Sequence, residues 1–274
     1  MLERTFLHCQ GVGPRTECRL WSAGYAGWSD AVARPHAMPL SAALRSAVRD
    51  LSAESLDRLS ARDALWFAQR LPAAEHWRAA GAFADRTAFL DIETTGGGPG
   101  ACTTVVGVLY GGELHQFVRH ENLRGFRDLL EEAALVVTFF GTGFDLPVLR
   151  EEFRWQPPPL HLDLCPALRR LGLRGGLKSI EQQVGIARPG ETAGLSGWDA
   201  VRLWWRWENA EDATARDRLL AYNADDVRNL RLLLEMALPR LERAAAGAPD
   251  PAAGAASTDR PEPLLGRAPE RGPA

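Results

Sequence analysis

The sequence predicts an α/β domain, a mixed sheet flanked by helices, preceded by a small helical module. Three observations carry that prediction. Short apolar runs (TAFLDIE, CTTVVGVLY, LHQFV, ALVVTFF) begin near residue 87 and alternate with amphipathic stretches (ENLRGFRDLLEEA, LPVLREEF, GLKSIEQQVG, ARDRLLAYNADDVRNLRLLLEMAL), as strands and helices sharing a core do. The first three runs follow almost back to back across 88–118, joined by GGGPG and Gly111-Gly112, and only the fourth follows a helical stretch. A meander with a later crossover gives a mixed sheet, not an all-parallel one. Finally, neither G-x-G-x-x-G nor G-x-x-x-x-G-K-[ST] follows any run, which argues against dinucleotide folds, P-loops and a nucleotide cofactor.

Residues 1–86 come first, with eleven basic and nine acidic side chains and helical periodicity in AALRSAVRDL, ESLDRLSARDALWFAQRL and AEHWRAAGAF. They are expected to form the helical module. Within it, Gly11-Val12-Gly13-Pro14-Arg15 separates two short apolar stretches. This turn resembles that of a helix-hairpin-helix, in which Gly11, Gly13 and Arg15 would meet a nucleic-acid phosphate; a plain turn between helices reads equally well. The sheet domain is expected over 87–240. Residues 241–274 are expected to be a disordered tail, since twenty of the thirty-one residues from 244 onward are Ala, Gly or Pro and such a segment buries too little to offset its ordering entropy.

Of 274 residues, 46% are hydrophobic, enough for a substantial core, and the net charge of -3 supplies no global cationic field. Nucleic-acid binding, if present, must therefore be local. Four scattered cysteines without a C-x-x-C pair fit reduced thiols. The first residues lack a basic leader followed by an apolar run, and no stretch reaches the ~18 apolar residues of a membrane span. The expectation is a cytoplasmic protein with no membrane partner.

Chemistry concentrates at three places. Asp91 and Glu93 lie two apart in Phe89-Leu90-Asp91-Ile92-Glu93-Thr94-Thr95-Gly96, so on a strand both carboxylates point to one face. Two like charges on a buried strand are costly unless a cation compensates them; a strand end emerging into solvent would show the same pair. Asp145 follows the fourth run in Gly141-Thr142-Gly143-Phe144-Asp145-Leu146-Pro147, where sites of α/β folds collect, though a helix cap explains it as well. Tyr222 and Asp226 are four apart on a helical stretch and share one face; an exposed polar face is the alternative.

Taken together, these motifs resemble the ribonuclease H-like DEDD exonucleases, and most closely their YprB-like branch. That branch carries a D-I-E-T-T-G strand, a G-x-x-F-D-x-P-x-L junction, an H-L-D-L segment and a Y-N-x-x-D-V helix. Here these are Asp91 to Gly96, Gly141 to Leu149, His161 to Leu164 and Tyr222 to Val227. The resemblance covers about 87–236 and implies a mixed five-stranded sheet and a hydrolase that removes nucleotides from a 3′ end. It also implies two divalent cations, Mg2+ or Mn2+, held by Asp91, Glu93, Asp145 and Asp226. Tyr222, four before Asp226, indicates the tyrosine subtype and would orient the attacking water, making Tyr222, Asp91 and Glu93 the catalytic set. Phe140 stands where the branch usually has Asn. Thr94 and Phe144, inside the motifs, are expected to touch the substrate, DNA or RNA.

Between Leu164 and Ile180 stand Arg169, Arg170, Arg174 and Lys178, with no acid among them. With Ser179 at a helix start they are expected to meet phosphate; a solvated helix face is the alternative. Trp204, Trp205 and Trp207 fit core packing better than base stacking, and His161 and Asp163 read as support for the ligands. Other classes remain open at this point: an endonuclease of the same fold, a non-catalytic nucleic-acid-binding module, or a phosphohydrolase of small nucleotides.

Overall fold

Five apolar segments pair into one sheet in the order β3-β2-β1-β4-β5: β1 Thr87–Thr94, β2 Thr103–Tyr110, β3 Glu113–Val118, β4 Leu135–Thr138 and β5 Leu160–Asp163. The structure, a computed structural model, describes residues 1–97 and 100–247. β1 runs antiparallel to β2 and β2 to β3, while β1 to β4 and β4 to β5 are parallel. The sheet is therefore mixed, as the back-to-back spacing of its first three strands requires.

Ten α-helices accompany it among the described residues: α1 Pro14–Ser22, α2 Trp28–Ala33, α3 Ala42–Ser60, α4 Ala64–Arg70, α5 Phe126–Leu129, α6 Asp145–Phe153, α7 Leu164–Arg170, α8 Leu177–Gln183, α9 Gly197–Ala210 and α10 Ala213–Ala245. Alternation along β1 sends Leu90 and Ile92 to one face, where they pack with Val106, Val136, Phe126 and Leu149 under α5 and α6. Phe89, Leu135, Val137, Leu160 and Leu162 line the other face, against Leu168 of α7, Ile180 of α8 and Val227, Leu230 and Leu234 of α10. α9 and the start of α10 close over Val105 and Val118 with Leu203, Trp204 and Leu219.

The first 86 residues fold into α1 to α4 and short 3-10 turns. Their core, with Trp28, Phe67, Trp77 and Phe83, is continuous with the apolar layer under the sheet. A buried charge network anchors it: Glu17 accepts from Thr5 Oγ1 at 2.7 Å and from the Phe6 N–H at 2.7 Å, and pairs with Arg78 at 3.1 Å. His76 joins the module to the sheet through the backbone of His161 in β5, at 3.2 Å.

Several elements differ from the sequence expectation. ESLDRLSARDALWFAQRL breaks between α3 and α4, where Arg62 takes φ +58° and the Asp63 side chain caps the new helix at Trp66 N–H, 3.0 Å. AEHWRAAGAF forms a 3-10 turn, Ala73–Ala79, and ENLRGFRDLLEEA is reduced to a 3-10 turn and the single turn of α5. Before Gly11 there is only a 3-10 turn, Leu2–Arg4, so the expected pair of helices around Gly11–Gly13 has just its second member, α1. α10 runs on to Ala245 and buries Leu241, so 241–245 is helix; the expected tail beyond 247 lies outside the described residues. No helix among the described residues is long and apolar enough to cross a membrane.

Candidate active site

A glycine decides how closely the last helix approaches the sheet. Gly107 in β2 faces Asp91 across the strand pair. A methyl group at Gly107 would lie 2.2 Å from Asn223 Oδ1 and 2.8 Å from Val227 Cγ2. Without it α10 packs down on the strands, and one turn of that helix delivers Tyr222, Asn223 and Asp226 beside the β1 carboxylates. Gly inside a strand often marks such an approach.

Asp91, Glu93 and Asp226 each offer an oxygen within 4.8 Å of the others. The paired register of β1 and β2 shifts between Glu93 and Thr94, a bulge of the kind that re-aims side chains beside sites. Asp145 stands at the start of α6 and lines the same cavity of about 420 Å³. Its carboxylate accepts from the Ile92 N–H of β1 at 3.3 Å. The carboxylate is thus turned across to the strand instead of capping its own helix.

Neighbouring polar groups fix the acids. Asn223, fully buried, donates from Nδ2 to Asp91 Oδ2 at 3.1 Å, and Gln116 orients that amide by donating to Asn223 Oδ1 at 3.1 Å. Asp163, at the end of β5, accepts from the N–H groups of Phe140 at 2.8 Å, Thr142 at 3.1 Å and Cys165 at 3.0 Å. It therefore shapes the β4–α6 junction that carries Asp145, while His161 meets Thr138 Oγ1 at 2.9 Å.

Burial and mutual repulsion push these carboxyls toward protonation. Asp145 is raised to about 7, chiefly by burial. Asp91 and Glu93 are raised well above the carboxylate range by burial and by the Asp226 charge, and Asp226 is raised by burial against the pull of Arg188. The Tyr222 phenol is pushed up by burial and the surrounding acids, so it stays neutral. Hard oxygen donors converging on one point, each costly to ionise unaided, suit divalent cations. The donor set present fits such ions.

Two cations reach the cluster. Lys178 Nζ lies 4.3 Å from the Tyr222 ring centroid and donates to the Leu195 carbonyl. Arg188, which the sequence reading missed, bonds Glu181 through Nε at 2.7 Å and Nη2 at 2.6 Å and also bonds Asp226. Asn229 completes this buried group by donating to Glu181 at 2.9 Å. No local pattern marks Arg188, whereas Gly107, alone inside TTVVGVLY, carries a readable signal.

The remaining expected contacts divide. Thr94 and Phe144 line the cavity. Of the basic group, Lys178 reaches the ring of Tyr222, which lines it, without lining it itself; Arg169, Arg170, Arg174 and Ser179 are exposed and outside its lining, with Arg170 paired to Glu75 at 3.0 Å. Gly11, Gly13 and Arg15 are exposed on the N-terminal module and do not line it. Trp204 is buried as expected, but Trp205 is 47% exposed, and Trp198 at the cavity mouth was not anticipated.

A family model, RNase_H_2 of the RNase_H superfamily, matches residues 88–238, more than half of the chain. Among solved structures, the family B DNA polymerase from the hyperthermophilic archaeon Pyrobaculum calidifontis is similar at 20% identity and a TM-score of 0.48, over 58% of this chain and 27% of that one. No curated protein matches the chain significantly.

Proposed function

Because the chain belongs to the RNase H superfamily, we propose that it is a metal-dependent nuclease of the DEDD type, tyrosine subtype and YprB-like branch, removing nucleotides from a 3′ end. The observation that carries this reading is the convergence of Asp91, Glu93 and Asp226 within 4.8 Å of one another, with Asp145 on the same cavity. In this reading Asp91, Glu93, Asp145 and Asp226 hold two divalent cations, Mg2+ or Mn2+. Cations so held would supply acidity to a bound water and positive charge for the oxygen departing from a phosphodiester.

The other roles follow from what each side chain can do. Tyr222, kept neutral by its surroundings, orients the attacking water through its hydroxyl and does not act as a phenolate base. Asn223 and Asp163 hold the carboxylates in place from behind, so that the ligands need little rearrangement. Lys178, beside Tyr222, meets the substrate's phosphate. Arg169, Arg170, Arg174 and Ser179 would contact the strand farther from the scissile bond, and the Gly11–Gly13 turn with Arg15 would do so from the N-terminal module.

The test is incubation of end-labelled single-stranded and duplex DNA and RNA with Mn2+ or Mg2+. A stepwise ladder from the 3′ end, abolished by Asp91→Ala and reduced about tenfold to a thousandfold by Tyr222→Phe, is the expected result. A single internal cut would mean an endonuclease of the same fold, and binding without cleavage a non-catalytic module.

A further inference from the structure

One cation of the chain's own is bonded to the carboxylate cluster. Arg188 lies between α8 and α9 with its side chain only 6% exposed, and its Nη2 donates both to Glu181 Oε1 at 2.6 Å and to Asp226 Oδ1. The guanidinium also stands 5.6 Å from the centroid of the Tyr222 ring. It thus reaches two of the side chains that α10 delivers to the site.

The segment that carries Arg188 is fixed on both sides. Before it, the Ile186 N–H donates to the Glu181 carbonyl at 2.9 Å. After it, the Pro189 carbonyl accepts from the Ala193 N–H at 2.8 Å, and Thr192 Oγ1 donates to Asp225 Oδ2 of α10 at 2.5 Å. Glu181 then holds the guanidinium at two points, through Nε at 2.7 Å and Nη2 at 2.6 Å, while Asn229 holds Glu181 at 2.9 Å. A paired fork of this kind is the strong, geometrically defined form of the bond between Arg and a carboxylate. The fork is complete without Asp226, whose bond shares an Nη2 already engaged. Nη1 is buried with no hydrogen-bond partner among the described residues. The bond to Asp226 can therefore be given up while the fork to Glu181 stays intact.

Resting on the reading of the four carboxylates as metal ligands, we infer that Arg188 is a built-in counter-charge for Asp226. It positions that carboxylate and competes with a divalent cation for it, so the division of Arg188 between Glu181 and Asp226 sets the affinity of the site for metal. A carboxylate buried beside other carboxylates is costly unless positive charge compensates it, and Arg188 supplies such charge from within the chain. The same charge opposes a second cation a few ångströms away. Glu181 moderates both effects, because what it draws from the guanidinium is not available to Asp226.

The test is Mn2+ binding to the full chain at one fixed pH, followed by electron paramagnetic resonance of the free ion, with circular dichroism reporting the fold. Glu181→Gln keeps an oxygen for Asn229 and for Nη2 but leaves Asp226 as the carboxylate on the guanidinium; Mn2+ binding should weaken about tenfold. Arg188→Gln combined with Glu181→Gln removes the counter-charge without stranding a buried Glu181. Binding should then tighten about tenfold, the effect of one charge removed beside a bound ion. A purely structural role would loosen the contact of α8 with α10 in both variants and shift both the same way. Opposite shifts support the inference. Any other pattern, equal affinities or a double variant binding no more tightly than wild type among them, overturns it. The nuclease reading survives that outcome as long as wild-type binding is lost in Asp91→Ala. If the wild type binds no Mn2+ through Asp91, both fall together.

Discussion

Replacing Asp145 by Asn should make the metal-free protein more stable while abolishing its response to divalent cations. Burial raises this carboxyl to about 7, against an ordinary value of ~3.9. Below about pH 4 the folded and unfolded chains both keep the proton, and the group has no effect on stability. Between about pH 4 and pH 7 the unfolded chain releases it first, so stability falls as pH rises through that window and stays lowered above it. Three pH units correspond to roughly 4 kcal/mol. The amide of Asn keeps an oxygen for the Ile92 N–H and has no proton to release. At pH 8 in a chelator the variant should therefore gain roughly 2–4 kcal/mol, about 5–10 °C in Tm. Adding Mn2+ should raise the wild-type Tm at pH 8 far more than at pH 5 and should raise that of the variant little. The assay is thermal unfolding of both proteins at pH 5 and pH 8, with chelator or with Mn2+. Equal wild-type stability at the two pH values in chelator, or a variant no more stable than wild type at pH 8, would refute the reasoning.

Other perturbations test the supports. Gly107→Ala places a methyl 2.2 Å from Asn223 Oδ1 and must lift α10; a loss of about 1–3 kcal/mol in urea unfolding is expected, together with a fall in turnover because Tyr222 and Asp226 ride on that helix. Glu17→Ala leaves the buried Arg78 with Glu75 as its remaining ion-pair partner and strands two donors, so the chain should lose about 3–5 kcal/mol, measurable as a drop in the urea midpoint. Arg188→Gln leaves Glu181 buried with Asn229 as its remaining partner and should cost a similar amount. Adding Glu181→Gln should recover part of that loss, and a double-mutant cycle reads the coupling.

Much of the fold was legible because strand and helix periodicities differ and the glycine-rich joints separate the first three strands. The acids were legible for the same reason: a spacing of two on a strand and of four on a helix fixes which side chains share a face, whatever the fold. Helix lengths were less so. Arg62 ends α3 in a left-handed conformation, and the short segment after Gly125 closes a single turn because its apolar residues, Phe126 and Leu130, are drawn under the sheet. Arg188 could not be found at all, since its partners Glu181 and Asp226 stand 7 and 38 residues away and meet only when α8 packs on α10. How the basic run after Leu164 divides was not legible for a related reason. A linear cluster of Arg does not stay together when a helix and a loop separate its members, and only Lys178 turns inward.

The charges of the site conflict with the folding of the chain that carries them. Arg188 serves Asp226 but is shared with Glu181, and Asp91 and Glu93 remain raised, first by burial and then by the Asp226 charge. Asn223 and the Ile92 N–H supply dipoles to Asp91 and Asp145, and dipoles position a carboxylate without neutralising it. What keeps the acids together is apolar packing elsewhere on the same elements: Leu90 and Ile92 behind β1, Leu146 and Leu149 along α6, Val227 and Leu230 along α10. Each acid is thus on a segment whose other face is deeply buried, and none can move away to relieve the repulsion. A site built against local stability in this way is where sequence and fold are expected to disagree, and its natural resolution is positive charge imported from solution; in the reading proposed above, that charge is two divalent cations.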